Sequence, residues 1–202
     1  MTGLYLIPIS TISEYNFKKT ICNENNKMSN IIKNDEYQEV VEMMSFDEST
    51  EKQPQHLGIW AFQENRWNEK EETEEERANN HRNYWENMAT NDIVLFFDPK
   101  GKLCVFGRIH RKAQEEVSGK LAKLIFKDPR LTFMFSLKDL TKFKKTTINF
   151  DNIKDIVHYV ENYQLSTLRV ANWRVKDYGV VNKLYELILL ETQGEKPIGV
   201  KR

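Results

Sequence analysis

Cysteine is scarce in this chain: Cys22 and Cys104 are the two among 202 residues, and they lie far apart. That excludes a disulfide framework and any Cys-x-x-Cys metal pair, and it predicts two reduced thiols in a cytoplasmic protein. Apolar runs are short. None approaches the roughly eighteen residues that a membrane-spanning helix needs. Met1-Thr2-Gly3-Leu4-Tyr5-Leu6-Ile7-Pro8 has neither the basic start nor the long apolar stretch of an export signal. Phosphate-cradling and nucleophile motifs are missing too: there is no Gly-x-x-x-x-Gly-Lys-Ser/Thr, no Gly-x-Gly-x-x-Gly and no Gly-x-Ser-x-Gly. The four histidines, His56, His81, His110 and His158, share no spacing that suggests a metal. A metal-dependent nuclease needs clustered carboxylates and a lysine on a strand. Asp92, Asp98 and Lys100 come nearest, but Asp98-Pro99-Lys100 reads as a turn. These absences predict a domain that binds rather than catalyses, with no cofactor and no metal.

What the chain does hold is segregated charge and many rings. At 40% hydrophobic and 30% charged residues its composition is that of an ordinary soluble domain. The length suits one domain over residues 1–192, with a linker or tail at 193–202 where Gly194, Pro197 and Gly199 cluster. Residues 1–100 carry 10 Lys and Arg against 19 Asp and Glu, a balance of −9, and residues 101–202 carry 20 against 11, a balance of +9. A net charge of zero therefore leaves room for a basic face, unless folding intermingles the two halves. Four Trp, eight Tyr and eleven Phe supply rings for a core and for stacking.

Apolar patterning outlines the elements. Leu4-Tyr5-Leu6-Ile7-Pro8-Ile9 reads as a first strand, with Pro8 placing its far end at a sheet edge. Ser13 caps a short helix through Lys19, and Ile21 to Ser29 reads as a loop. Val40, Val41 and Met44 space as a helix over about Asp35–Met44. The acidic run Glu64 to Asn91 reads as a solvated helix that docks through Tyr84, Trp85 and Met88. Leu121 to Phe126 and Leu131 to Phe135 read as strands joined at Asp128-Pro129-Arg130. A helix is expected over Phe150–Tyr163 and another around Leu184 to Glu191, while Val170 to Val175 reads equally as a strand or an ordered loop.

The middle of the chain organises the rest. His56-Leu57-Gly58-Ile59-Trp60-Ala61-Phe62 reads as a strand. Asp92 to Phe97 and Leu103 to Ile109 read as an antiparallel pair around Asp98-Pro99-Lys100-Gly101-Lys102, since Pro early and Gly late in a short loop is hairpin chemistry. Gly58-Ile59-Trp60, Asn83-Tyr84-Trp85, Asn91-Asp92-Ile93-Val94-Leu95-Phe96-Phe97 and Gly107-Arg108-Ile109 together resemble the core of EVE and YTH domains, relatives of the PUA fold. Two positions depart from those patterns: Asn91 stands where EVE domains usually have Gly, and Ala61 where YTH domains have Ser.

That resemblance implies an α+β domain whose twisted mixed β-sheet curls into a PUA-like barrel flanked by helices. It implies capture of a modified base, N6-methyladenine or a modified cytosine, flipped out of DNA into an aromatic cage. Trp60 falls on the cage tryptophan of the YTH pattern, and the backbone near Ala61 would take the remaining amine N–H. Phe126, Phe133 and Trp173 are, in that order, the candidates for the second wall. The basic cluster Arg108, Arg111 and Lys112 is expected on phosphates, with Lys142, Lys144 and Lys145 as a second patch. EVE- and YTH-like domains also serve as specificity modules of McrB-type, modification-dependent restriction systems, which implies an AAA+ motor and a nuclease as partners. Two other readings stay open: a reader of methylated RNA, and a structural or protein-interaction domain in which Trp60 is simply buried.

Overall fold

A computed structural model describes residues 2–11, 13–22, 58–63, 81–113, 115–143, 146–159, 165, 167–177 and 179–192. Its elements run β1 (Leu4–Pro8), α1 (Glu14–Thr20), β2 (Gly58–Phe62), a helical segment at 81–86, β3 (Ile93–Phe97), β4 (Leu103–Lys112), α2 (Glu115–Phe126), β5 (Phe133–Lys142), α3 (Phe150–Ile156), β6 (Leu168–Arg169), α4 (Asn172–Asp177) and α5 (Val180–Thr192). The strands form one six-stranded sheet in the order β2-β5-β4-β3-β1-β6. β1 and β3 are parallel, whereas β1–β6, β2–β5 and β3–β4 are antiparallel, so the sheet is mixed and the class is α+β, as expected. Backbone contacts divide the chain into two compact units. The first comprises Met1–Glu14, Asn91–Arg108 and Asp139–Arg202, the second Tyr15–Thr90 and Ile109–Lys138.

In the first unit the expected hairpin is present. Asp98 shapes its turn by accepting the Lys100 and Lys102 N–H groups on Oδ1 at 2.8 and 2.9 Å, and Gly101 takes φ +76°. A bulge follows, since Phe96 faces Val105 while Phe97 faces Leu103. β3 is buried along its whole length, which is why Ile93-Val94-Leu95-Phe96-Phe97 reads as a continuous apolar run rather than an alternating one. Asp92 ties the start of β1 to β3: its Oδ1 accepts the Gly3 N–H at 2.6 Å, and a Cβ on Gly3 would lie 2.7 Å from Asp92 Oδ2. Asn91, at the position where EVE domains carry Gly, has φ +72°. Asn is among the side chains that tolerate this left-handed conformation best, so the departure keeps the backbone that glycine would supply. β1 is an inner strand, yet β6 pairs only with Tyr5 and Leu6, so Pro8 lies past the end of that ladder and breaks none of its hydrogen bonds.

The helices of this unit follow their caps and apolar faces. Asn149 and Asn152 form a reciprocal capping box at the start of α3, and Phe150 packs edge-on against Phe97 at 5.9 Å. α3 ends at Ile156, shorter than the spacing of Val157 and Val160 predicts. Val170 to Val175 is neither strand nor loop throughout: β6 stops at Arg169 and α4 begins at Asn172. α5 buries Val180, Leu184 and Ile188, and Tyr185 meets Phe106 edge-on at 5.7 Å. At its far end the Glu191 carboxylate accepts from Thr147 N and Oγ1 at 2.5 and 2.6 Å.

In the second unit β2 and β5 pair from Gly58↔Leu137 to Phe62↔Phe133. Leu121 to Phe126, expected as a strand, is instead the last half of α2. The reason lies in spacing: Leu121, Ala122, Ile125 and Phe126 recur at the helical interval and all four are buried, while Lys123 is exposed. A six-residue apolar run is ambiguous between the two states, and packing decided it. β5 also runs on to Lys142, because Leu137 and Leu140 stay buried through the lysine-rich stretch. The helix expected over 35–44, the acidic run at 64–76, and the tail at 193–202 lie outside the described residues.

Candidate nucleic-acid interface

Alternation along β2 and β5 sorts the second unit's candidate residues into two groups. Successive strand residues point to opposite faces, and directly paired residues share a face. Trp60 pairs with Phe135 and Phe62 with Phe133, so these four rings lie on one side of the ladder. Phe62 packs on Phe135 with centroids 5.4 Å apart. Three further rings close over them. Phe17 of α1 meets Trp60 edge-on at 6.1 Å. His81 stacks on Phe62 at 5.1 Å with 17° between planes, and Trp85 packs on Phe133 at 5.7 Å. Trp85 is held in register by its indole Nε1–H, which donates to Met134 O at 2.8 Å. Of the three residues expected to dock, Trp85 on the 81–86 segment and Met88 just past it are buried, whereas Tyr84 is only partly buried. Trp60 and Phe133 are buried, at 6% and 3% exposure, whereas His81 is only partly buried.

The opposite side of the same ladder is aliphatic. Ile59, Ala61 and Met134 pack there with Ala113 and with Leu121, Ala122, Ile125 and Phe126 of α2. The structure thus brings Trp60 and Phe133 onto one face and places Ala61 and Phe126 together on the other. Trp173 belongs to the first unit, on α4, and is 51% exposed.

The expected phosphate ligands differ in how far they are engaged. Arg108, in the first unit, donates to the Tyr185 hydroxyl and lies 5.6 Å over that ring, which joins β4 to α5. Lys112, in the second unit, donates from Nζ to the carbonyls of Trp85 and Glu86 at 3.1 and 3.0 Å, and sits 4.9 Å over the Trp85 ring. It therefore satisfies carbonyls at the end of the 81–86 segment, where a cation also complements the helix dipole. Arg111 is partly exposed, and its main chain is exchanged with Ser136: Arg111 N donates to Oγ at 3.2 Å and Oγ donates to Arg111 O at 3.4 Å. Lys142 is exposed at the end of β5; Lys144 and Lys145 lie outside the described residues. Among the described residues no three His, Cys, Asp or Glu side chains gather as a metal site requires, no helix is long and apolar enough to cross a membrane, and Cys22 and Cys104 form no disulfide.

No family model and no curated protein matches the sequence. Among solved structures, the chain is similar to the N-terminal domain of McrB from Thermococcus gammatolerans, bound to m5C DNA. Identity is 17%, the TM-score is 0.55, and the match covers 93% of this chain and 99% of that one. The chain has the fold of an McrB N-terminal domain. Because the match runs over nearly all of both chains, the McrB-type fold takes in both compact units.

Within that fold, several side chains of the aromatic face were not singled out from the sequence. Phe62 and Phe135 could have been found, since each lies two residues from a candidate ring, Phe62 from Trp60 and Phe135 from Phe133, and a period of two keeps them on one face. His81 and Arg82 carried no such signal. Arg82 lies 5.3 Å over the Phe133 ring and 3.9 Å from Glu86, contacts set by how the 81–86 segment lands on β5.

Proposed function

We propose that this chain recognises a modified base in DNA and performs no chemistry on it. The observation that carries the reading is the aromatic face of β2 and β5 in a chain whose fold is that of a domain bound to m5C DNA. That neighbour's ligand puts 5-methylcytosine ahead of N6-methyladenine. Trp60 and Phe133 are the rings assigned to the base. A paired base cannot reach a buried ring, so the target leaves the duplex, at a cost of a few kcal/mol. Stacking on an aromatic side chain returns about 1–3 kcal/mol per base. One buried methyl group adds roughly 0.8 kcal/mol, a several-fold preference. Entry also requires a covering side chain to move, and His81, stacked on Phe62 and partly exposed, is the covering ring that solvent reaches. Arg82 and Arg111, of the second unit, are the cations assigned to phosphates there, and Lys142 is the one assigned on the first. In this reading the domain supplies specificity to an AAA+ motor and a nuclease of a modification-dependent restriction system.

The burial of Trp60 supports a second reading, in which the aromatic face is core and the domain binds a protein. A titration separates the two. Matched duplexes carrying 5-methylcytosine, N6-methyladenine or no modification, and the corresponding RNAs, are compared by fluorescence anisotropy. The proposal expects tighter binding to one methylated DNA than to its unmodified twin, and tighter still when a mismatch faces the target. Equal affinity for every duplex, with no effect of the mismatch, assigns the face to the core.

A further inference from the structure

Trp173 is exposed, yet it is held in place. The first unit fixes its neighbour Arg174 with care: the guanidinium lies 4.5 Å from the Trp173 ring centroid and 4.7 Å from that of Tyr159. Its NH1 donates to Val157 O at 3.1 Å and to His158 O. Both carbonyls belong to the end of α3, where His158 takes φ +56°. On the other side of α4's first turn, Arg169 NH2 donates to Asn172 Oδ1 at 2.9 Å. A cation that contacts both rings and is anchored on backbone gives the indole a fixed neighbour. Half of the Trp173 surface nonetheless faces solvent. A ring exposed for want of space in the core needs no such support. A ring that must meet a flat ligand gains from it, because less freedom is lost on binding.

We propose that Trp173 is a stacking post for an unpaired, unmodified nucleobase of the bound DNA, with Arg174 as its positioning residue. The inference rests on the DNA-binding reading above but concerns a different site, in the other compact unit from Trp60. Two features select a nucleobase. The solvent-facing group is a flat indole, which stacks on any base without regard to sequence. A guanidinium lies against that indole, and the short helix carries Arg174 and Lys176 against Asp177, so a net positive charge stands near the ring for the phosphate that every base carries.

The test compares wild type with Trp173→Ala, Trp173→Phe and Arg174→Gln on short single strands and on duplexes with one unpaired base, each with and without the modified base that wild type prefers. Trp173→Ala should weaken binding about tenfold on methylated and unmethylated probes alike, Trp173→Phe should keep most of the affinity, and Arg174→Gln should fall between. Quenching of tryptophan emission on binding should shrink in Trp173→Phe. Because the ring is exposed, thermal midpoints of the Trp173 variants should match wild type. If wild type binds DNA and Trp173→Ala binds it equally well, the post is wrong while the DNA-binding reading stands. A variant that loses only its preference for the modified base makes Trp173 a wall of the modified-base site instead. A variant whose DNA binding is unchanged but whose sedimentation shifts from dimer to monomer assigns the ring to a second copy of the chain. If wild type binds no oligonucleotide at all, both readings fall together.

Discussion

The two sides of the β2–β5 ladder are built from the same ten paired residues and differ by an offset of one. One side presents Ile59, Ala61 and Met134 and is closed by α2, which immediately precedes β5 in the chain. The other presents Trp60, Phe62, Phe133 and Phe135 and is closed by Phe17, His81 and Trp85, which come from distant parts of the sequence. The aliphatic side has one way to be satisfied, by close packing. The aromatic side is held by ring contacts, by a hydrogen bond from Trp85 and by two cations over rings, interactions that a planar base can replace in kind. A strand pair thus carries an aliphatic face and an aromatic face back to back.

The sharpest way to break that comparison is to cut into each side in turn. Ile125→Ala should lower stability by about 2–5 kcal/mol in urea denaturation, with the preference for a modified base unchanged in the molecules that remain folded. A loss of preference without loss of stability would mean that the aliphatic side also recognises ligand. Trp60→Leu keeps an apolar side chain in place and removes the stacking surface. It should bring methylated and unmethylated duplexes to equal affinity while shifting the unfolding midpoint less than Ile125→Ala does. Equal selectivity with a large drop in midpoint would make Trp60 core.

Next come the two neighbouring cations of the second unit. Arg111→Gln should weaken all sequences alike and reduce the slope of log affinity against log salt by about 1. Lys112→Met should leave that slope where it is and cost about 1 kcal/mol of stability, because the carbonyls of Trp85 and Glu86 lose a charged donor. A change in slope for Lys112→Met would return it to the phosphate path.

The smallest effect is in the first unit and serves as a control for both sides. Hydrogen bonds from Thr147 hold the Glu191 carboxyl below its ordinary value of 4.5. A group with a lowered folded-state value adds stability above its unfolded value and loses it as pH falls through the folded one. Acid should therefore loosen α5 from Thr147. Thr147→Val should remove part of that sensitivity below pH 4.5 and none of the stability change between pH 6 and 8, as a chemical-denaturation series would show. Neither change should touch DNA selectivity.

Local chemistry was enough for several parts of this molecule. The hairpin around Asp98 and Gly101, the strand at Leu4–Pro8, the run Ile93–Phe97 and the helix through Leu184 and Ile188 all follow from short-range rules: turn residues, β-branched runs and helical spacing. The left-handed backbone of Asn91, φ +72°, was not read from the sequence, where Asn91 stood only as a departure from a pattern with glycine. Leu121 to Phe126 was not legible either, because a run of six apolar residues satisfies either period until a partner surface exists, and Ile59 and Ala61 are that surface.

The candidate site divides in the same way. Composition and pattern alone determined that the sequence lacks the Gly-x-x-x-x-Gly-Lys-Ser/Thr and Gly-x-Ser-x-Gly motifs and is well supplied with rings and cations. Tertiary structure alone decided which of those groups lie together. Strand parity and pairing placed Trp60 with Phe133 and set Phe126 with Ala61 on the far side. Docking of the 81–86 segment engaged Lys112 with backbone, and α4 left Trp173 exposed on an anchored arginine. The physical reason is one of range: turns and periodicity act over a few residues, whereas the surroundings of a side chain are set by residues brought close only when the chain folds.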